Sequence, residues 1–82
     1  MNEGMKIAIG KELKKLRIDS NKSVEDLCNE GSINKDTIYK YESGKGNNFN
    51  TLEKLLNIYN VTYFIFFKNI YDTLQNKQET KE

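Results

Sequence analysis

The chain has 82 residues, which is enough for one small domain with a modest core. It contains no proline, no histidine and one cysteine, Cys28. A single cysteine can form neither an internal disulfide nor a structural zinc cluster, and without histidine the chain lacks the commonest general base. An enzyme is therefore a poor fit. No metal or other cofactor is expected, and Cys28 is predicted to be a core residue.

The formal net charge is +1, a low value for a protein that binds nucleic acid. Residues 1–22 carry six basic and three acidic side chains, whereas residues 23–33 carry three acidic side chains and no basic one. No apolar run is long enough to span a membrane, and the N-terminus lacks the pattern of a secretion signal. A cytoplasmic protein without a membrane partner is expected.

Residues 1–4 have nothing to bury and are expected to be disordered. A first helix is predicted over residues 5–19, because its large apolar residues are spaced i, i+4 and i+7. These residues are Ile9, Leu13 and Leu16. Glu12 and the lysines are expected on the remaining surface, as a solvated face. The alternative is that Lys6 or Lys11 lies near a phosphate.

A second helix is predicted from Ser23 to Glu30. Ser23 is a suitable N-cap, and Asp26 stands where a capping box needs an acidic side chain. Gly31 and Ser32 are expected to end this helix.

A third helix is predicted from Asn34, which can cap it, to Ser43, with Gly44 as a left-handed C-cap. Ile38 and Tyr41 are three residues apart and are expected to face inward. The side chains left on the outer face are Lys35, Asp36, Tyr39 and Lys40. Two short helices joined by a tight turn are typical of a helix-turn-helix.

After a short loop, a fourth helix is predicted to end near Tyr59, with either Asn48 or Asn50 as its N-cap. Its apolar stripe follows helical spacing and is expected in the core: Leu52, Leu55, Leu56 and Tyr59. A fifth helix is predicted over residues 63–75, capped by Thr62. Residues 76–82 are polar and are expected to be a disordered tail, so the folded domain is expected to span residues 5–75.

Several segments together resemble the Cro/C1 (Xre-type) helix-turn-helix repressor family over residues 9–67. They are Ser23-Val24-Glu25-Asp26-Leu27, Ile33, Thr37-Ile38 and Tyr41-Glu42-Ser43-Gly44. The resemblance implies an all-α, five-helix, lambda-repressor-like DNA-binding domain whose third helix enters the major groove. It also implies a transcriptional regulator of a phage or mobile element, either a repressor or Cro-like. The chain departs from the family at Val24, where glutamine is usual, and in the turn, where Gly31 precedes Ser32.

Within that resemblance, the N-terminal part of the third helix is expected to reach base edges. The predicted base-contacting residues are Lys35, Asp36, Tyr39 and Lys40. The predicted contacts to the DNA backbone are Ser23, Asn34, Thr37, Lys45, Asn47 and Asn48. The family also implies an ion pair between Arg17, the only arginine of the chain, and Glu42.

The fifth helix is more apolar than a helix covering a small core needs to be, which indicates a surface for a protein partner. A homodimer on a two-fold-symmetric operator is expected, because such repressors read paired half-sites. Its predicted interface is Phe64, Ile65, Ile70, Tyr71 and Leu74. Three alternatives remain. The fifth helix is simply buried more deeply in the core of the domain, the protein is a protein-interaction module without DNA binding, or it is an antitoxin that binds a toxin through this helix.

Overall fold

The computed structural model describes residues 3–80, and the side chains of residues 3–75. The described residues form five helices and no strand, which confirms the all-α prediction. The helices are α1 (Glu3–Asp19), α2 (Val24–Gly31), α3 (Lys35–Glu42), α4 (Phe49–Tyr59) and α5 (Tyr63–Thr80). Among them, none combines the length and the apolar character that crossing a membrane requires.

Side chains from every helix meet in one core. The stripes predicted for α1 and α4 enter it, although Leu16 and Tyr59 are only partly buried. The buried apolar residues are Ile9, Leu13, Val24, Leu27, Ile33, Ile38, Tyr41, Leu52, Leu55, Leu56, Phe66 and Ile70. Cys28 packs at the edge of this core as a partly buried free thiol.

Capping residues set most of the helix boundaries. Ser23, Asn34 and Asn48 cap α2, α3 and α4 with their side-chain oxygens, so Asn48 takes the role for which Asn50 was the alternative. The Thr62 hydroxyl accepts a hydrogen bond from the Ile65 amide at 3.2 Å and caps α5 as predicted.

Four helices are followed by a left-handed residue that helps to satisfy their last carbonyl groups. Asn21, Ser32, Gly44 and Asn60 have φ angles of +56°, +51°, +85° and +56°. At Gly44, the amide of Lys45 donates to the Lys40 carbonyl and the amide of Gly44 donates to the Tyr41 carbonyl. This pairing is a Schellman motif, and it ends α3 where the sequence predicted.

The ends of the chain differ from the sequence prediction. Helix α1 begins at Glu3 and α5 continues to Thr80, so residues 3–4 and 76–80 are helical where disorder was predicted. No proline or glycine interrupts residues 75–80, and most of their side chains favour helix, which accounts for the extension. Residues 1, 2, 81 and 82 lie outside the described part of the chain.

Glu12 is the second correction. Glu12 was expected on the solvated face of α1, but only 8% of its surface is exposed. It lines a groove between α1 and α5 together with Ile7, Ala8 and Leu74. The groove forms because α5 packs along α1, a contact between distant parts of the chain.

Candidate nucleic-acid interface

The outer face of α3 presents the four side chains that the sequence singled out for base contact. Lys35, Asp36, Tyr39 and Lys40 are all exposed, while Ile38 and Tyr41 are buried on the opposite side. At about 100° per residue, the four exposed positions span about 140° of the helix surface. The helix therefore offers two cations, a carboxylate and a phenol on one continuous face.

The turn before α3 is compact because Ser32 adopts a left-handed conformation, with φ +51°. The amide of Ile33 then donates to the Cys28 carbonyl at 3.3 Å and closes α2. A Cβ on Gly31 would lie 2.8 Å from Cδ1 of Ile33, so a larger residue here would have to displace the end of the Ile33 side chain. The order Gly31-Ser32 thus places the small residue against Ile33 and the strained conformation on the serine.

Asn34 and Ser23 serve first as helix caps. Asn34 Oδ1 accepts from the Asp36 amide at 2.8 Å, and Ser23 Oγ accepts from the Asp26 amide at 3.0 Å. The Asp26 carboxylate accepts from the Ser23 amide at 2.8 Å, and this backbone hydrogen bond lowers the pKa of Asp26. A phosphate at these helix ends would consequently meet the Asn34 amide hydrogens and the Ser23 hydroxyl hydrogen, which the caps leave unused.

Val24, where the resembled family usually has glutamine, is a buried core residue. Its side chain packs with the apolar residues of the central cluster. It therefore has no polar group to offer a phosphate at the start of α2.

Tyr41 fixes the loop that follows α3. Its hydroxyl donates a hydrogen bond to the Asn48 carbonyl, and burial is the main factor that raises its pKa. Gly46 lies directly on its ring, since a Cβ there would be 2.6 Å from Cδ2 of Tyr41. The loop therefore holds a defined shape and leaves the side chains of Lys45 and Asn47 exposed beside α3.

Arg17 and Glu42 form the ion pair that the family resemblance implied. Arg17 Nε donates to Oε2 of Glu42 at 2.7 Å, and Nη2 donates to Oε1 at 3.0 Å, so the ion pair is bidentate. The third nitrogen, Nη1, donates to the Lys22 carbonyl at 3.3 Å. Hydrogen bonding to Glu42 raises the pKa of Arg17. The pair ties α1 to the end of α3, so its role is to position α3.

Gly10 lets α1 approach the same end of α3. A Cβ at this position would lie 2.8 Å from the carbonyl oxygen of Glu42 and closer still to that of Tyr41. Both atoms belong to the backbone and cannot rotate away. Gly10 and Arg17 are seven residues apart and share one side of α1, which therefore runs against α3 over two turns.

The outer surface of α5 corrects the predicted dimer interface. Ile70 is 3% exposed and belongs to the core, because it lies one turn after the buried Phe66. Ile65 is exposed, but it points about 100° away from Phe64 around the helix. Phe64, Tyr71 and Leu74 remain exposed on one side, at 74%, 60% and 44%.

These three residues continue through Phe67 into one apolar stripe, which we define as Phe64, Phe67, Tyr71 and Leu74. Tyr63, the first residue of α5, is 39% exposed and stacks on Phe67 with ring centroids 6.4 Å apart. Its place in the first turn of α5 explains the exposure, since no preceding helical turn covers it.

Sequence reasoning missed three features of this surface. The close packing at Gly10 and Gly46 could not be predicted, because the presence of a glycine in a sequence does not indicate which atoms approach it. Phe49 is 59% exposed at the first position of α4, next to the loop of residues 45–48. The sequence does offer one clue to Phe49, because it is an isolated aromatic residue just before the leucine stripe of α4.

Comparisons with known proteins agree on the fold. No curated protein matches the chain. A solved structure of a tyrosine-to-phenylalanine variant of the restriction-modification controller protein C.Esp1396I is similar, with a TM-score of 0.79 and 20% sequence identity. The similarity covers 92% of this chain and 96% of the controller protein. A family model for the Cro/C1-type helix-turn-helix DNA-binding domain matches residues 12–63, well over half of the sequence. The chain belongs to this Cro/C1-type family of DNA-binding domains.

Proposed function

We propose that this protein is a sequence-specific transcriptional regulator that binds its operator as a homodimer, with α3 in the major groove. The observation that carries the proposal is the exposed outer face of α3 in a chain of the Cro/C1-type DNA-binding family. That face is rigidly held, because the Arg17–Glu42 ion pair and the Tyr41–Asn48 hydrogen bond brace the end of α3 and the loop behind it.

Base readout is assigned to Lys35, Asp36, Tyr39 and Lys40. A lysine ammonium donates to O6 and N7 of guanine, and an aspartate carboxylate accepts from N4 of cytosine. The Tyr39 ring suits contact with a thymine methyl group. Because Asp36 repels phosphates, its presence on this face favours a role in reading a base.

Contacts to the DNA backbone are assigned to residues at the N-caps of α2 and α3, in the first turn of α3 and in the loop after it. They are Ser23, Asn34, Thr37, Lys45, Asn47 and Asn48. Most of them are exposed at helix ends or in the loop after α3. Contacts of this kind fix the register of the protein on the duplex but carry no sequence information.

Dimerisation is assigned to the apolar stripe of α5. Three of its four large apolar side chains are exposed on one side of the helix, and a contiguous exposed apolar patch of this kind favours a protein partner. Two-fold symmetry would place a second α3 about one helical turn of DNA away, about 34 Å. A dimer bound at a promoter would block polymerase, which is the repressor role we propose; an origin in a phage or mobile element stays a prediction.

The test is selection of binding sites from a random double-stranded DNA pool with the full-length protein, at low and at moderate salt. Enrichment of a two-fold-symmetric site is expected, and the spacing of its halves gives the geometry of the dimer. Failure to enrich any sequence at either salt contradicts sequence-specific DNA binding. Enrichment of an asymmetric single site contradicts the dimer alone.

A second function is favoured by the same stripe. Phe64 and Tyr71 are highly exposed, which also suits a different protein as partner, as in an antitoxin or an interaction module. In either case the protein alone is a monomer. An antitoxin would keep its DNA affinity when the stripe is substituted, whereas an interaction module would bind no DNA at any salt concentration.

A further inference from the structure

The first turns of α1 and the loop after α3 enclose a shallow groove of about 300 Å³. It is lined by Glu3, Lys6, Ile7, Ser43, Gly44 and Lys45. The first three residues precede the segment matched by the family model, which begins at residue 12. The groove therefore joins the recognition region to a part of the chain that the family match does not cover.

The two sides of this groove are held in register by Gly44 and Ile7. Gly44 has φ +85°, and a Cβ there would lie 3.0 Å from Cγ1 and 3.1 Å from Cα of Ile7. The backbones of α1 and the loop are consequently in close contact next to Lys6 and Lys45. This contact continues the line along which Gly10 and Arg17 of α1 meet the end of α3.

Neither Lys6 nor Lys45 forms an ion pair within the described part of the chain, whereas Lys22 and Lys68 are paired with Glu30 and Asp72. The Ser43 hydroxyl donates to the Lys40 carbonyl at 3.0 Å and, being uncharged, does not change the charge of the groove. Glu3 brings one carboxylate to the same groove. The result is a pair of cations beside the recognition helix with one nearby anion.

We propose that Lys6 binds a backbone phosphate of the DNA in this groove, next to Lys45, and that Glu3 weakens this contact. The inference rests on the proposed DNA binding and extends it to the N-terminal turns of α1. A lysine ammonium is a compact charge with three donors, which suits a phosphate. The other role open to Lys6 is stabilisation of the negative C-terminal end of α3, which requires no DNA.

The experiment measures the affinity of the full-length protein for a fluorescein-labelled 30-base-pair duplex of random sequence, by anisotropy, over a range of salt concentrations. Random DNA is suitable because phosphate contacts do not depend on sequence. The variants are Lys6→Gln and Glu3→Gln. Lys15→Gln is the matched control, since Lys15 is exposed on the opposite side of α1, toward α5.

For Lys6→Gln, the slope of log K against log salt is expected to become shallower by about 0.9 per bound chain, an affinity loss of about 5- to 10-fold at 0.1 M salt. Glu3→Gln is expected to bind more tightly than the wild type, and Lys15→Gln is expected to match it. Thermal melting of each variant reports any change in stability.

A lower melting temperature for Lys6→Gln with an unchanged salt slope overturns the proposal and assigns Lys6 to the end of α3. An unchanged slope with unchanged melting overturns it as well, while DNA binding by the wild type still stands. If the wild type shows no salt-dependent binding to the duplex, both the proposal and the proposed function fail.

Discussion

Individual residues decide how closely the helices of this small domain approach each other, and Gly10 is the clearest case. Its α-hydrogen faces the carbonyl groups of Tyr41 and Glu42, where any larger group meets backbone atoms. Glycine is the least favoured residue in a helix interior after proline, at a cost of about 1 kcal/mol relative to alanine. Its position in the middle of α1 is therefore explained by packing, which outweighs helix propensity here.

Gly10→Ala is expected to lower the free energy of unfolding by about 1–3 kcal/mol, because the overpacking exceeds the gain in helix propensity. Gly4→Ala serves as control, since Gly4 is exposed in the same helix and should gain up to about 1 kcal/mol. Urea unfolding followed by circular dichroism measures both. If Gly10→Ala is as stable as the wild type, α1 can move away from the Tyr41 and Glu42 carbonyl groups with little loss of stability.

Tyr59 is a second residue whose environment makes a definite prediction. Its hydroxyl is buried and has no hydrogen-bond partner within the described part of the chain. Burial, and to a lesser extent the charge of Glu42, raise the pKa of Tyr59 to about 12. Since the pKa in the folded state exceeds the unfolded value of about 10, the folded state holds this proton more tightly, and stability falls as pH rises from about 10 to 12.

Tyr59→Phe is expected to leave stability at pH 7 unchanged or to raise it by up to about 1 kcal/mol, because it removes an unsatisfied polar group. The substitution should also reduce the loss of stability between about pH 10 and 12. The loss that remains would come from other groups, such as Tyr41, whose pKa is also raised. Thermal melting at pH 7 and across the alkaline range tests both points. Marked destabilisation at pH 7 would mean that the hydroxyl has a partner, such as water.

At the scale of the helices, α3 combines two functions on its two faces. Ile38 and Tyr41 anchor it in the core, and Lys35, Asp36, Tyr39 and Lys40 remain exposed. Arg17 and Glu42 form a bidentate ion pair, and both side chains are largely buried. Removing either partner would therefore leave the charge of the other uncompensated. The orientation of the outer face thus depends on residues that touch no base.

Lys40→Ala is expected to weaken binding to the selected operator by about 1–3 kcal/mol and to relax the preference at one base pair. Anisotropy titrations with the operator and with random DNA measure the two affinities, and Lys15→Ala is the control. An equal loss on both DNAs would assign Lys40 to the backbone instead of a base.

For the whole molecule, the stripe of α5 predicts the oligomeric state. A lysine at Tyr71 would place a charge in the centre of the stripe, so Tyr71→Lys is expected to weaken a dimer by at least about 10-fold, through the cost of burying that charge. Sedimentation equilibrium measures this, with Asn69→Lys as control, since Asn69 is exposed on the other side of α5. A wild type that stays monomeric at high concentration, or a Tyr71→Lys dimer of normal strength, contradicts the assignment.

The five helices and most of their ends follow from the amino-acid sequence alone. Local chemistry decides these features: the capping box of Ser23 and Asp26, the caps at Asn34 and Thr62, the left-handed turns at Asn21, Gly44 and Asn60, and the spacing of the apolar residues. Each depends on atoms within a few residues, so a pattern of residue types suffices to predict it. The ion pair of Arg17 and Glu42 spans 25 residues and was available only through the family resemblance.

Which side of each surface helix is covered depends on how the helices pack in three dimensions. Ile70 lies inward and Tyr63 outward, and Glu12 is buried, because burial depends on where distant helices pack against α1 and α5. The same applies to Lys6, which lines the same groove as Lys45 although 39 positions of sequence separate them. Contacts between helices arise from the shape of the whole core, and residue spacing along one helix contains no information about that shape.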